Sequence, residues 1–408
     1  MKRKWLVYVV CLGHALFMLL LSWWWLSLNY NLELEDNLVR WTSLVKRILP
    51  FTSTHDPGRL SAYTFVDISG ARMLADQPAG LGKDAITDRR QLDSLLQIIS
   101  RATPGPDAVI CDVFFDRATD QDLQLQKSIN RIPGIVFPYS FGGDSVVLPA
   151  VPGIPSAYSA YYSSSGVGLK DSFLKFHLIE GDTMKSIPLR TYEWISHKQL
   201  RKRAGLLWGG GRPMSNTVIP DIKILPVELS DEQFSRIIPL EDLLVLNNDE
   251  AAGKFFSNKI VVIGDFQTEM HTSIYDQIPG ALIIVNVLES LIAGEVNFSY
   301  LMLFYLLACY GVLSYLVLYY EGGPGSLEER ITRISYPLVG SVGSRMLGFS
   351  LGLYIVSIIC YFVFNVHTDI LPMATYLSMV SLIRRKGQAP LRKIVRKRRK
   401  VVGEAVNQ

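Results

Sequence analysis

Cysteine is scarce in this sequence, with four residues in 408, at Cys11, Cys111, Cys309 and Cys360. Three of them fall in long apolar runs, so Cys111 is alone in the polar part of the chain and no disulfide framework forms there. Catalytic signatures are missing as well. There is no G-x-S-x-G elbow, no H-E-x-x-H, no C-x-x-C and no G-x-x-x-x-G-K-[ST], and Gly80-Leu81-Gly82-Lys83 lacks the spacing that cradles phosphates. Nothing in the sequence argues for an enzyme or calls for a cofactor.

Charge is absent from three long stretches, Trp5 to Leu32, Val296 to Tyr320 and Met346 to Thr368. Each supplies the roughly 20 helical residues that cross a hydrocarbon layer of about 30 Å. The first follows the basic start Met1-Lys2-Arg3-Lys4, but it is longer than the roughly 7 to 15 residues of a signal core and no small-x-small cleavage site follows. Trp23, Trp24 and Trp25 suit an interfacial belt, so the run reads as an uncleaved signal anchor.

A fourth run, Ile370 to Ile383, is short, and counting from Val366 lengthens it if Asp369 lies near the interface. Charge decides its role. Ten Lys or Arg between Arg384 and Lys400, and three at the N-terminus, both belong in the cytoplasm by the positive-inside rule, which requires an even number of spans. The expected layout is a cytoplasmic N-terminus (1–4), spans at 5–28, 296–320, 346–365 and 366–383, an extracytoplasmic domain (29–295), a cytoplasmic loop (321–345) and a basic tail (384–408). The turn from Asn365 to Asp369 then lies outside without Lys or Arg. The 29–295 domain carries 25 basic and 32 acidic residues, so the overall charge of +4 gives no reason to expect nucleic acid. The tail segment APLRKIVRKRRK reads as a topology determinant resting on anionic headgroups.

Within the domain, Leu34, Leu38, Trp41, Leu44, Val45 and Ile48 recur at helical spacing after the first span. YTFVDIS (63–69) reads as a strand, and RRQLDSLLQIISRA (89–102) as an amphipathic helix ended by Pro104-Gly105-Pro106. AVICDVFF (108–115) has the near-continuous apolar character of a strand covered on both faces. Thr119 and Asp122 resemble a capping box opening a helix to about Arg131, and GIVFPYSF from Gly134 is the next strand. IVVIG (260–264) supplies another central strand, and a closing helix begins at Ala281 with the stripe Leu282, Val285, Leu288 and Ile292. Between Gly142 and Ser257 the pattern is weaker: short strands near 173–190, a helix near 191–203, then Trp208-Gly209-Gly210-Gly211. The fold class is therefore an α/β ectodomain with a mainly parallel central sheet, plus transmembrane helices, one N-terminal and three C-terminal.

Asp67, Asp116 and Asp265 fall at or just beyond the carboxyl ends of three of these strands, the edge where open α/β sheets bind ligands. Three carboxylates there suit a cation or a cationic solute, while Asp also serves as a helix cap or a turn residue. Glu269 and His271 alternate along an extended segment and share a face, but as a polar loop they do not make a metal site. His14, inside the first apolar run, is either a polar contact between spans or a group near the lipid.

The chain resembles the CHASE type 2 family of extracellular sensor domains over roughly residues 30 to 385. The resemblance is carried by Glu35-Asp36 after the anchor, FVDIS (65–69), AVICDVFFDRATDQDLQLQKSI (108–129) and NKIVVIGDFQTEMHTSIYDQIPGALIIVNVLESLIAGE (258–295). It implies a bacterial inner-membrane protein with a sensor outside and signal output inside. Members commonly continue into a cyclase or kinase after the last span, whereas only Arg384 to Gln408 follows here. The expectation is a sensor that detects an unknown signal ligand and passes it to a separate output protein. The alternative is a structural or assembly subunit of an envelope complex, and third comes an exported membrane-anchored enzyme. The expected partners are the signal ligand, the output protein, the lipid bilayer and, in a homo-oligomer, a second copy of the chain.

Overall fold

The computed structural model describes residues 2–28, 33–48, 60–76, 82–142, 145–147, 149–151, 153–159, 162–163, 173–203, 205–209, 211–219, 223–224, 229, 237–246, 249–273, 277–319, 339–364, 366–368 and 370–384. The 321–345 loop as far as 338, the turn residues Asn365 and Asp369, Gly80 and Leu81, the tail beyond Arg384 and much of 143–172 lie outside the described residues. The chain divides into two units, Asn29–Asn297 and a helical unit of Met1–Leu28 with Phe298–Gln408.

The helical unit opens with α1 (Lys2–Leu26), and the Asn29–Asn297 unit opens with α2 (Glu33–Ile48). Five strands of that second unit run parallel: β1 (Tyr63–Asp67), β2 (Ala108–Cys111), β3 (Ile135–Gly142), β4 (Ile237–Pro239) and β5 (Ile260–Gly264). Their spatial order is β4–β1–β5–β2–β3. Ser145–Val147 and Ser156–Tyr158 extend the β3 edge, antiparallel and parallel respectively. Every residue of β1, β2 and β5 is buried, because both faces of the sheet are covered. Val66, Val109, Cys111, Val261 and Ile263 point into a first core with α3 (Arg89–Ser100), α4 (Asp122–Ile129), α6 (Leu240–Leu246) and α7 (Asp249–Phe256), with α5 (Ile187–Ser196) and α8 (Gly280–Ile292) on the other side. Phe65, Ile110, Ile260 and Val262 point into the second core with α5 and α8.

The connections obey one hand. β1 to β2, β2 to β3 and β4 to β5 all move in the same direction across the sheet and cross on the first face. β3 to β4 returns in the opposite direction, and its helix α5 lies on the second face. Each reversal of direction is matched by a change of face, as the handedness rule for parallel crossovers demands. The parallel sheet and the order of strands and helices expected from the sequence are thus present.

Four details differ. The strand expected over 108–115 stops at Cys111, because Val113 and Phe115 are buried in a loop rather than in the ladder. The helix expected near 191–203 runs from Ile187 to Ser196. Pro188 sits in its first turn and His197 ends it in a left-handed conformation, which frees Arg201–Arg203 to form a strand. On α2, Trp41 and Val45 are exposed while Thr42, Ser43 and Lys46 are buried, since apolar spacing marks a helix face but not what covers it. Ile292 is 46 % exposed, because α8 ends there and Gly294 turns the chain away at φ 69°.

α8 is otherwise buried from Gly280 to Leu291. Its Asn286 replaces a missing strand partner: Oδ1 accepts from Lys223 N (2.7 Å) and Ile224 N (2.9 Å), and Nδ2 donates to Ile224 O (3.1 Å) and Leu282 O (2.9 Å). Beyond α8, Lys223 Nζ pairs with Glu295 Oε2 at 2.8 Å, and Ser215 N donates to Val296 O at 2.9 Å. The exit from the domain is therefore tied down.

In the helical unit, Trp5–Leu26 of α1 and Tyr300–Leu318 (α9) are long and apolar enough to cross a membrane. Among the described residues, those are two such helices where four spans were expected. α10 (Val339–Phe364) begins seven residues before the expected Met346, two residues past Pro337, and its apolar part is the shorter Gly348–Phe364; a further helix covers 371–384. His14 is a contact between helices. Ser314 Oγ donates to Tyr310 O (2.6 Å), so the imidazole Nδ1–H must donate to Ser314 Oγ (2.7 Å), and Nε2 accepts from Tyr376 OH (2.9 Å).

Candidate functional site

The carboxyl ends of β1, β5 and β2 lie side by side: Asp67 is in register with Gly264, and Ile263 with Cys111. Gly264 is required here, since a Cβ on it would lie 2.7 Å from the Cβ of Ala281 at the start of α8. This packs the head of α8 against the strand end.

Asp67 and Asp265 come together across this edge, and both are engaged. Asp67 accepts from Ser69 N (3.0 Å), Ser69 Oγ (2.9 Å), Phe266 N (3.2 Å) and Gln267 Nε2 (2.7 Å), joining the loops after β1 and β5. Asp265 accepts from Gln267 N (3.0 Å), Thr268 N (2.7 Å), Thr268 Oγ1 and Arg72 Nη2. Burial alone would raise the Asp265 carboxyl, but hydrogen bonds from Thr268 and Gln267, and then the Arg72 charge, outweigh it and hold the group below the ordinary carboxylate range. Both residues fix loops.

Asp116 is not beside them. Its side chain is 56 % exposed in the loop after β2 and lies 3.9 Å from Arg117 Nε. The carboxylate that follows β2 directly is Asp112, which sequence reasoning missed. A signal for it exists in hindsight: YTFVD, AVICD and IVVIGD each run apolar to their first Asp, and that Asp marks the strand end.

Asp112 is 4 % exposed, its backbone N–H still donates to Ile263 O (2.8 Å), and Oδ1 finds no hydrogen-bond partner among the described residues. Burial first, and the Glu269 carboxylate second, push its carboxyl well above the ordinary carboxylate range. Glu269 Oε1 is 3.9 Å from His271 Nε2, so the alternation expected to put these two on one face does so. No group of three or more His, Cys, Asp or Glu among the described residues could hold a metal ion.

Below the same edge on the first face, Arg89 is fully buried with its guanidinium 4.1 Å from the Phe115 ring centroid and Nε 3.7 Å from Asp122 Oδ1. Its three nitrogens find no hydrogen-bond partner among the described residues. Burial lowers its pKa while Asp122, Asp116 and Cys111 oppose the shift, and an arginine stays charged regardless. Asp122 accepts from Thr119 N (2.8 Å) and Thr119 Oγ1 (2.7 Å), but α4 starts at Asp122 with Gln121 as its N-cap and no side-chain cap, so only the carboxylate half of the expected capping box forms.

A doubly covered parallel sheet with an acidic carboxyl edge, bracketed in sequence by two apolar helices long enough to cross a membrane, defines an α/β domain. The family model of the CHASE2 domain matches residues 11–318, and the chain belongs to that family, a family of extracellular sensor domains rather than of catalysts. No curated protein and no solved structure matches the chain.

Proposed function

We propose that this protein is a sensor of the bacterial cytoplasmic membrane, without catalytic activity of its own, that detects a solute outside the membrane and passes the signal to a separate cytoplasmic or membrane partner. Membership of the sensory CHASE2 family carries the reading. The covalent route supports it: β5 ends at the carboxyl edge, its loop and the hairpin Met270–Thr272 and Gln277–Pro279 lead into α8, and α8 leads through Gly294–Asn297 to α9. The ligand we propose is a cationic solute at that edge, with Asp67 and Asp265 shaping the loops, Asp112 and Glu269 beneath, and Asp116 exposed in the loop after β2.

Four spans are part of this proposal. Tyr376 reaches His14, and Arg384 Nη1 donates to Val317 O at 2.7 Å in the last turn of α9, so the 371–384 helix runs alongside α9 in the same direction. Such a helix ends on the side where α9 ends, which agrees with a cytoplasmic basic tail.

Thermal unfolding of the full-length protein across a panel of amines, polyamines and inorganic cations tests the ligand reading. A binding solute raises Tm with the logarithm of one plus its concentration over Kd. The expected result is one cationic solute that stabilises the wild type and stabilises Asp116→Asn and Asp112→Asn less. No response to any solute, with stoichiometric co-purification of envelope proteins on the domain, would favour the assembly-subunit reading instead.

A further inference from the structure

Lys198 to Arg212 is a basic island in an acidic domain. It carries Lys198, Arg201, Lys202, Arg203 and Arg212, and no Asp or Glu occurs between Glu193 and Asp221. The segment folds into an antiparallel sheet of Arg201–Arg203, Leu206–Trp208 and Met214–Ser215. Arg201 lies opposite Trp208, Arg203 opposite Leu206, and Leu207 opposite both Lys202 and Met214. Side chains alternate across a sheet, so Leu207 and Met214 enter the second core while Arg201, Arg203 and Trp208 share the outer face. All three are exposed, as is Arg212 in the turn that follows. Trp208 keeps 45 % of its surface in solvent and anchors its indole by donating Nε1–H to Arg203 O at 3.1 Å.

Gly209 makes this shape attainable. Its φ is 133°, and a Cβ there would lie 2.0 Å from Gln199 O, so any side chain would push the hairpin off the preceding segment. Lys202 points the other way and donates Nζ to Gly181 O at 2.7 Å, leaving the arginines and the tryptophan as the outward display.

The position of the sheet is fixed by the chain's own exit. Met214 forms a β-bridge with Asn297, and Tyr300, the first residue of α9, comes three residues later. Three extended residues cover about 10 Å, and the edge strand Arg201–Arg203 is three strand spacings, about 15 Å, from Asn297. Arginines with a tryptophan, on a domain whose last residues lead into a span, are the side chains that settle into a headgroup layer, the guanidinium on phosphate and the indole at the interface.

We propose that the outer face of Arg201–Trp208, with Arg212, is a docking surface for the anionic lipid headgroups of the outer leaflet. It sets the domain's footing on the membrane through charge complementarity between these arginines and the lipid phosphates, on a domain that is acidic elsewhere. The proposal rests on α9 being a span.

The test uses full-length protein in nanodiscs of phosphatidylcholine alone and of phosphatidylcholine with phosphatidylglycerol, read by amide hydrogen exchange over 199–215. Failure of the chain to incorporate into either disc would overturn the span itself. Given incorporation, exchange should slow at least about fivefold in the anionic discs, the factor expected for a single basic residue at an anionic surface, and the effect should vanish in high salt. Arg201→Gln with Arg203→Gln and Arg212→Gln should abolish the lipid dependence, whereas Lys at the same three positions should retain it. If the triple Gln protein does not accumulate, Arg203→Gln and Arg212→Gln singly should each lose part of the effect. Equal exchange in both discs, lipid protection that survives the Gln substitutions, or the same protection from inorganic phosphate with phosphatidylcholine discs overturns the proposal.

Discussion

Asp112 and Asp265 are one strand apart and are shifted in opposite directions, because hydrogen bonds and the Arg72 charge lower the Asp265 carboxyl while burial raises that of Asp112. A carboxyl whose folded pKa lies above its unfolded value contributes stability that is complete below about pH 4 and is lost as pH rises through the folded pKa. Asp112→Asn keeps the size and removes the titration. Urea unfolding of the full-length protein should show the wild type losing stability relative to the variant as pH rises from about 4. Parallel pH profiles for the two proteins would mean that Asp112 ionises normally. At this scale the sequence was partly legible. The residue type at the carboxyl edge follows from where apolar runs end, but the apolar residues Val113 and Phe115 extend the run past the strand, so the sequence points to Asp116 where the structure has Asp112.

Among the elements, α8 joins the sheet edge to the exit and depends on one polar residue. Asn286 satisfies two backbone donors and one acceptor of the 223–224 segment as well as Leu282 O, all in a buried setting. Asn286→Ala leaves those groups without partners and should destabilise the domain by about 3 kcal/mol. Ser290→Ala, which removes only a hydroxyl bonded to Asn286 O within the same helix, should change unfolding by less than about 1 kcal/mol. Equal losses from the two would show that α8 is held by its apolar contacts alone. The stripe Leu282, Val285 and Leu288 identified this helix in the sequence, but burial on all sides and the role of Asn286 did not follow from it, since periodicity records one face and not the partners of the others.

For the whole molecule, topology gives the most direct prediction. Reporter fusions after Glu295 and within 365–369 should report outside, and fusions after Glu321 and Gln408 inside, because both basic ends belong in the cytoplasm. A Gln408 fusion that reports outside would remove the 366–383 span. Among the described residues, length and apolar composition together support only α1 and α9 as spans, and what favours the 371–384 helix is its pairing through Tyr376 and Arg384.

The sequence alone determined the alternation of strand and helix, the parallel sheet, the apolar segments and the charge asymmetry of the ends. These depend on local spacing, run length and composition, which each stretch of chain carries independently of the rest. Tertiary structure decided which carboxylates meet: Asp67 and Asp265 share a loop because β1 and β5, some 200 residues apart in the chain, pair in register. It also decided that Asp112 Oδ1 finds no hydrogen-bond partner among the described residues, that His14 joins three helices, and that Arg201, Arg203 and Trp208 face outward together. Each of these is a property of neighbours brought from distant parts of the chain, and a single sequence has no local pattern that encodes them.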